Sequence, residues 1–195
     1  MLKQVILLTG TPCVGKTSVS RLLSSKLDAS CVNLTELAIR ENLVCGKDKE
    51  RDSIIIDENR LRRKISEIIK NCNKGKIIID GHYAVHIVPK RLVANVFVLR
   101  RNPIELQKFM EKCGFSGCKL WENLASEILD VCLIDALKIY GEGKVCELDV
   151  TGMRVEGVVS EILAVLSGHK KCHVGVVDWL GKLESEGLLD KYLKI

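Results

Sequence analysis

Residues 10 to 17 read Gly10-Thr11-Pro12-Cys13-Val14-Gly15-Lys16-Thr17, the spacing Gly-x4-Gly-Lys-Thr. In that order successive backbone N–H groups can wrap a polyphosphate, the Lys16 ammonium reaches the β and γ phosphates, and the Thr17 hydroxyl is offered to Mg²⁺. The apolar run Val5-Ile6-Leu7-Leu8 precedes the loop, and the helix-patterned stretch Ser18 to Leu27 follows it. A helix N-terminus aimed at an anion adds its dipole to the same purpose. The whole loop, Gly10, Pro12, Cys13, Val14, Gly15, Lys16 and Thr17 with Ser18 behind them, is the expected ATP-binding segment. A turn that bound nothing would need neither the Lys-Thr pair nor the strand feeding it.

Phosphoryl transfer asks a protein for cations and a metal anchor more than for covalent chemistry. Asp80 ends the run Ile77-Ile78-Ile79 and so lies at a carboxyl edge of a sheet, where it would hold Mg²⁺ through water if its strand neighbours the first one. His82, two residues on, would orient a water for ATP hydrolysis or touch an acceptor phosphate; a hydrogen-bonded structural histidine is the equal alternative. Arg100 and Arg101 close the run Val96 to Leu99 at the same kind of edge. One of an adjacent pair points inward, and Arg100 is expected to fork onto phosphate oxygens. Arg40, on a short helix capped near Asn33 or Thr35, and Arg60, at the start of a helix opened by Asp57, are the candidates for binding the acceptor's phosphate. Arg62, Arg63 and Lys64 read as a solvated helix face.

Elements that bring these residues to one edge are visible in the hydrophobic pattern. Apolar runs at Val5 to Leu8, Ile77 to Ile79, Val96 to Leu99 and Val145 to Leu148, with Cys31-Val32 as a weaker fifth, alternate with helical patterns. That alternation implies an α/β fold with a parallel sheet covered on both faces. Leu61, Ile65, Ile68, Ile69 and Cys72 mark one helix, Leu124 through Tyr140 a longer one, and Val155 through Leu166 another; Asn102-Pro103 is an N-cap followed by proline at the first helical position. Two stretches, about Cys45 to Ser53 and Lys112 to Lys119, interrupt the pattern and are expected to move. After a break at 168–173, the apolar side Trp179, Leu180, Leu183, Leu188, Leu189 and Leu193 predicts a tail packed on its own core.

At 195 residues, with 47% hydrophobic and 28% charged side chains, the chain suits one soluble domain. No signal-peptide pattern opens it, and no segment has membrane-spanning length, so a cytoplasmic protein is expected, nuclear if eukaryotic. Nine cysteines, odd in number and without a Cys-x-x-Cys pair, read as small buried hydrophobes rather than a disulfide framework. His169-Lys170-Lys171-Cys172-His173 reads as a solvated basic loop. The net charge of +5 suits polyanions, whether nucleotides or RNA.

The loop, Asn33 to Leu43, Ile56-Asp57-Glu58, Asp80-Gly81-His82, Phe97-Val98-Leu99-Arg100 and Gly114-Phe115 to Asn123, taken in order, resemble the small adenylate kinases of the isoenzyme-six type. The resemblance spans residues 4 to 165, with similarity also in the tail around Trp179. It implies a P-loop NTPase fold of the nucleoside monophosphate kinase kind, with a five-stranded parallel sheet in a core of residues 1–167. An acceptor-binding region at about 33–56, a lid at about 112–122 and a helical tail at 168–195 complete the expected layout. It further implies ATP contacts at Cys13, Gly15, Lys16, Thr17 and Ser18, a hydrolysis motif at Asp80 and His82, and Mg²⁺ as cofactor. The implied reaction is ATP plus AMP giving two ADP. An ATPase role in maturing the small ribosomal subunit, with a ribosomal protein and rRNA as partners, is the implied alternative. Against the family pattern, Cys13 replaces a glycine, Cys113 and Phe109 stand where relatives carry arginines at the lid, and Ile39 stands in the place of the acceptor-side arginine, with Arg40 beside it. A P-loop kinase for a sugar acid shares the architecture and is the third reading.

Overall fold

Strands that are apolar on both faces need cover on both faces, and this chain supplies it by returning helices after its strands. The computed structural model describes residues 3–48 and 53–194. Its first half runs β1 (Gln4–Thr9), α1 (Lys16–Leu27), β2 (Ser30–Asn33), α2 (Leu34–Arg40), β3 (Val44–Asp48), β4 (Ser53–Ile56), α3 (Glu58–Asn71), β5 (Lys76–Asp80) and α4 (Ala84–Ile87). The second half runs β6 (Val93–Arg100), α5 (Pro103–Lys112), α6 (Gly117–Ile128), α7 (Val131–Tyr140), β7 (Val145–Asp149), α8 (Val155–Leu166), α9 (Trp179–Ser185) and α10 (Leu189–Tyr192).

Five parallel strands form the main sheet in the order β2-β5-β1-β6-β7. β1 lies at the centre, with Leu8 opposite Asp80 of β5 and Thr9 opposite Val98 of β6. Alternation along the strands divides the core in two. Val5, Leu7, Ile77, Ile79, Val96 and Val98 pack with α2, α3, α4 and α7, while Ile6, Leu8, Ile78, Phe97 and Leu99 pack with α1, α5, α6 and α8. Side-chain caps start several helices: Asn33 accepts from the Glu36 amide at 2.9 Å, Asp57 from Arg60 at 3.0 Å and Asn102 from Ile104 at 2.9 Å. Among the described residues no helix is long and apolar enough to cross a membrane.

The sequence and the structure part at four places. The single helix expected from Leu124 to Tyr140 is two, because Asp130 takes a left-handed conformation with φ 58° and turns its carboxylate onto Arg100. The polar stretch about Cys45 to Ser53 belongs to an antiparallel hairpin, β3 with β4; residues 49–52 lie outside the described residues. Of the nine cysteines, Cys146 alone is buried; Cys31, Cys45, Cys113 and Cys118 are exposed, since they sit on an edge strand, the hairpin and the α5–α6 junction rather than on core faces. The tail packs on the core: Trp179, Leu183 and Tyr192 are buried, the last two in the core layer shared with α1 and α6, and Asp178 caps α9, but Leu180, expected on the same side, is exposed.

Arg100 is the fourth. It ends β6 at 1% exposure, and its guanidinium is wholly engaged by acids. Nε donates to Glu127 Oε1 at 2.9 Å, Nη1 to Glu147 Oε1 at 2.6 Å, and Nη2 to the Glu127 carbonyl at 2.9 Å and to the Asp130 carboxylate. With four of its five N–H donors taken and the side chain 1% exposed, Arg100 presents no fork to a bound phosphate, so the expectation that it forks onto transferring phosphoryl oxygens is overturned. Replacing it by a neutral side chain strands Glu127 and Glu147 as buried charges. Arg100→Met should therefore lose about 3–5 kcal/mol of stability in urea denaturation at pH 7.

Candidate active site

A phosphate loop works only if its backbone can turn through conformations that side chains resist, and here the constraint is steric at one end and conformational at the other. Gly10 has φ 133°, and a Cβ there would lie 2.4 Å from the Leu99 carbonyl oxygen of β6. Gly15 has φ 107° with open space around it, and it precedes α1 without a side chain to cap the helix. The first amides of α1 are thus left for an anion rather than for a protein oxygen. Cys13 sits in the left-handed region at φ 67°, a conformation that costs an L-residue about 1 kcal/mol. Burial, followed by a hydrogen bond with the Cys113 thiol of the lid, pushes the Cys13 thiol up to about 12, so it is no nucleophile at neutral pH.

Lys16 folds over the loop and donates from Nζ to the carbonyls of Gly10 at 2.7 Å and Thr11 at 2.8 Å. Burial pulls its pKa below the ordinary lysine value, while nearby acids, Asp80 and Glu127 among them, pull the other way. Phosphate oxygens offered at the same place would exchange two neutral acceptors for charged ones.

The strand register puts Asp80 one strand away from the loop. Its carboxylate is fully buried and fully used: Oδ2 accepts from Asn33 Nδ2 at 2.7 Å and Thr17 Oγ1 at 3.1 Å, and Oδ1 from Ser20 Oγ at 3.0 Å. Asn33 Nδ2 also reaches Thr17 Oγ1 at 3.1 Å. A hydroxyl and a carboxylate side by side are hard oxygen donors, few in number, and so they fit a Mg²⁺ that keeps most of its waters. Asn33 and Ser20, which sequence reasoning did not place here, hold that pair in position; Asn33 was legible only as a helix cap, and its carbonyl oxygen does serve as one.

His82 follows β5, with its backbone carbonyl accepting from Thr9 Oγ1 at 3.1 Å and its ring edge-on to Tyr83 at 4.2 Å. Although the residue is exposed on the cleft side, desolvation first and the Lys16 charge second lower its pKa to about 4. It lines a cleft of about 560 Å³ between Pro12 of the loop, Ile54 and Ile56 of the hairpin, Phe115 of the α5–α6 turn, and Lys119 and Glu122 of α6. The two acceptor-site arginines are not brought there. The Arg40 side chain is 70% exposed beside Glu41, and Arg60 lines a separate polar groove with Glu41, Arg63 and Lys64, because both side chains leave the outer faces of α2 and α3. Of the arginine pair, Arg101 is the one nearer the loop: Nη2 lies 3.4 Å from the Val14 carbonyl, the guanidinium stacks 4.8 Å from the Phe109 ring centroid, and Nη1 pairs with Glu105. Its Nε is buried without a hydrogen-bond partner among the described residues. Glu127 joins the site unannounced by any motif, with Oε2 accepting from Thr11 Oγ1 at 2.5 Å.

Residues 6–130 match the family model described as "AAA domain". A protein named "Putative adenylate kinase" in Methanocaldococcus jannaschii is 39% identical over 91% of this chain and 93% of its own length. Another of that name in Saccharolobus islandicus is 32% identical over 98% of this chain and 95% of its own. In fold the chain is similar to a shikimate kinase from Acinetobacter baumannii (TM-score 0.61, 13% identity, 88% of this chain and 96% of that one). It is also similar to a thymidylate kinase from Candida albicans (TM-score 0.52, 15% identity, 86% of this chain and 92% of that one). With the loop, the parallel sheet and the matched sequence in agreement, the chain belongs to this AAA-domain family of P-loop kinases, alongside the archaeal proteins that bear the adenylate kinase name.

Proposed function

We propose that the protein transfers the γ-phosphoryl group of Mg²⁺-ATP to AMP, giving two ADP. The observation that carries this reading is the Thr17–Asp80–Asn33 cluster at the phosphate loop, with a cleft beside the loop lined by Pro12, His82, the hairpin and Phe115. Loop amides and Lys16 hold the donor's β and γ phosphates, and the wall from Pro12 to Phe115 receives the acceptor. Thr17 and Asp80 would hold Mg²⁺, which when bound offsets charge on the phosphate oxygens. An oxygen of the acceptor phosphate attacks the γ-phosphorus in line, and the bond from that phosphorus to the β–γ bridging oxygen breaks. A phosphate acceptor is largely an oxyanion already at neutral pH, its second pKa lying near ~6. It needs no general base, whereas the hydroxyl of a sugar acid does. His82, with a pKa lowered to about 4, would be a weak base for that step.

A second reading is supported by the acceptor side, where Arg40 and Arg60 lie off the cleft and Cys113 stands in the lid. In it the protein hydrolyses ATP in small-subunit ribosome assembly, bound to a ribosomal protein and rRNA, and its AMP kinase activity is weak. Coupled assays across the nucleoside monophosphates separate the two. Under the kinase reading AMP raises ATP turnover well above basal hydrolysis; under the assembly reading no acceptor does so, and small-subunit components do.

Lys16→Ala should lower ATP turnover by about 10²-fold or more under either reading, measured by ADP release. Asp80→Asn should raise the Mg²⁺ concentration for half-maximal activity by about tenfold, read from a Mg²⁺ titration at fixed ATP. His82 gives a pH test with a definite sign. Its folded pKa of about 4 lies below the ordinary 6.5, so the unfolded chain takes up the proton first as the pH falls. Stability from this group is whole above pH 6.5 and declines towards pH 4. In urea midpoints, His82→Asn should lose less stability than the parent over that window.

A further inference from the structure

The Glu127 carboxylate is 1% exposed and does more than pair with Arg100. Oε2 accepts from the hydroxyl of Thr11, inside the phosphate loop, at 2.5 Å. Oε1 accepts from Arg100 Nε at 2.9 Å, from the Arg101 amide at 3.1 Å and from Trp179 Nε1 at 3.1 Å. Trp179 is the first residue of α9, so one buried carboxylate ties the nucleotide loop to the C-terminal tail. A second tie runs in parallel: Glu147 accepts from Arg100 Nη1 at 2.6 Å and from the Val176 amide of the tail at 2.8 Å. We propose that Glu127 is a positioning residue for the phosphate loop, and that through it the tail sets the loop's affinity for nucleotide.

The reason lies in Thr11. Its carbonyl accepts from Lys16 Nζ at 2.8 Å, and its hydroxyl donates to Glu127. When the Lys16 ammonium turns to phosphate oxygens, that carbonyl keeps a long 3.5 Å bond from the Val14 amide, and the shorter Glu127 bond is the main hold on the residue. Thr11 is 1% exposed, and its bond is of the short, charge-assisted kind, so a shift of the loop is met by the carboxylate and not absorbed by water. A shift of the carboxylate changes the bond to the Trp179 indole. Coupling of this kind is reciprocal: what nucleotide does to the tail's docking, the docked tail does to nucleotide affinity.

The inference rests on ATP binding at the loop, and the test keeps the two apart. In a Trp121→Phe background, Trp179 is the remaining tryptophan, and its emission can be followed while calorimetry measures ATP binding on the same samples. A saturable emission change is expected, with the calorimetric Kd. Thr11→Val should lose that change and, like Trp179→Phe, raise the ATP Kd by about three- to tenfold, while Thr11→Ser should keep both the change and the parent's Kd. A dead calorimetric signal in the parent overturns the ATP site and the coupling with it. ATP binding with silent Trp179 emission, or a Trp179→Phe Kd within twofold of the parent's, overturns the coupling alone. Thr11→Val carries the test should Trp179→Phe fail to fold.

Discussion

One guanidinium has to leave water in the company of carboxylates, and much of the architecture follows from how that is managed. Arg100 cannot be buried alone, nor can Glu127 or Glu147, because each lone ion would carry a desolvation penalty of several kcal/mol. Together they close on one another with short contacts and with further donors from Thr11, Arg101, Trp179 and Val176. Meeting that requirement fixes the end of β6 against α6, β7 and the tail at once. It also explains the break between α6 and α7, since a continuous helix would carry Asp130 past the Nη2 it meets.

The donor half of the site inherits this rigidity. β6 is the strand whose Leu99 carbonyl walls in Gly10, and β5 is the strand that delivers Asp80 to Thr17. Both flank β1, so the loop leaving β1 is held on either side by hydrogen-bonded neighbours before any ligand arrives. The opposite wall of the cleft is built otherwise, from a hairpin outside the main sheet and from the turn between α5 and α6. A rigid loop and a separately attached opposite wall are the division of labour expected where two substrates must be brought together and water kept out.

Much of this was legible in the sequence, and the exceptions share a cause. The loop, the strand-helix alternation and the position of Asp80 at a sheet edge depend on local order and period, which a sequence carries directly. The fate of Arg100 does not. Its partners lie 27 and 47 residues away in the chain, and nothing in Val96 to Arg101 says which of two adjacent arginines will find them. Glu127 was unreadable for the same reason, as one acid on an amphipathic helix. Arg40 and Arg60 failed differently: the seven-residue α2 leaves the facing of Arg40 undetermined until its neighbours are in place, whereas Arg60 stands on the 14-residue α3, whose buried side at Leu61, Ile65 and Ile69 leaves it on the outer one. The exposed cysteines show that residue type states a preference, and that location decides the outcome.

The 2.4 Å between a Cβ at position 10 and the Leu99 oxygen has a meaning apart from phosphate. Any side chain there would press on the end of β6, one residue before Arg100, and so disturb the buried charge cluster that Arg100 anchors. Selection for a nucleotide site and selection for a folded chain therefore act on the same atom. A lineage that abandoned catalysis would be free to lose Lys16 but not Gly10, and the first glycine of the motif, found alone, would testify to ancestry in the fold rather than to surviving activity.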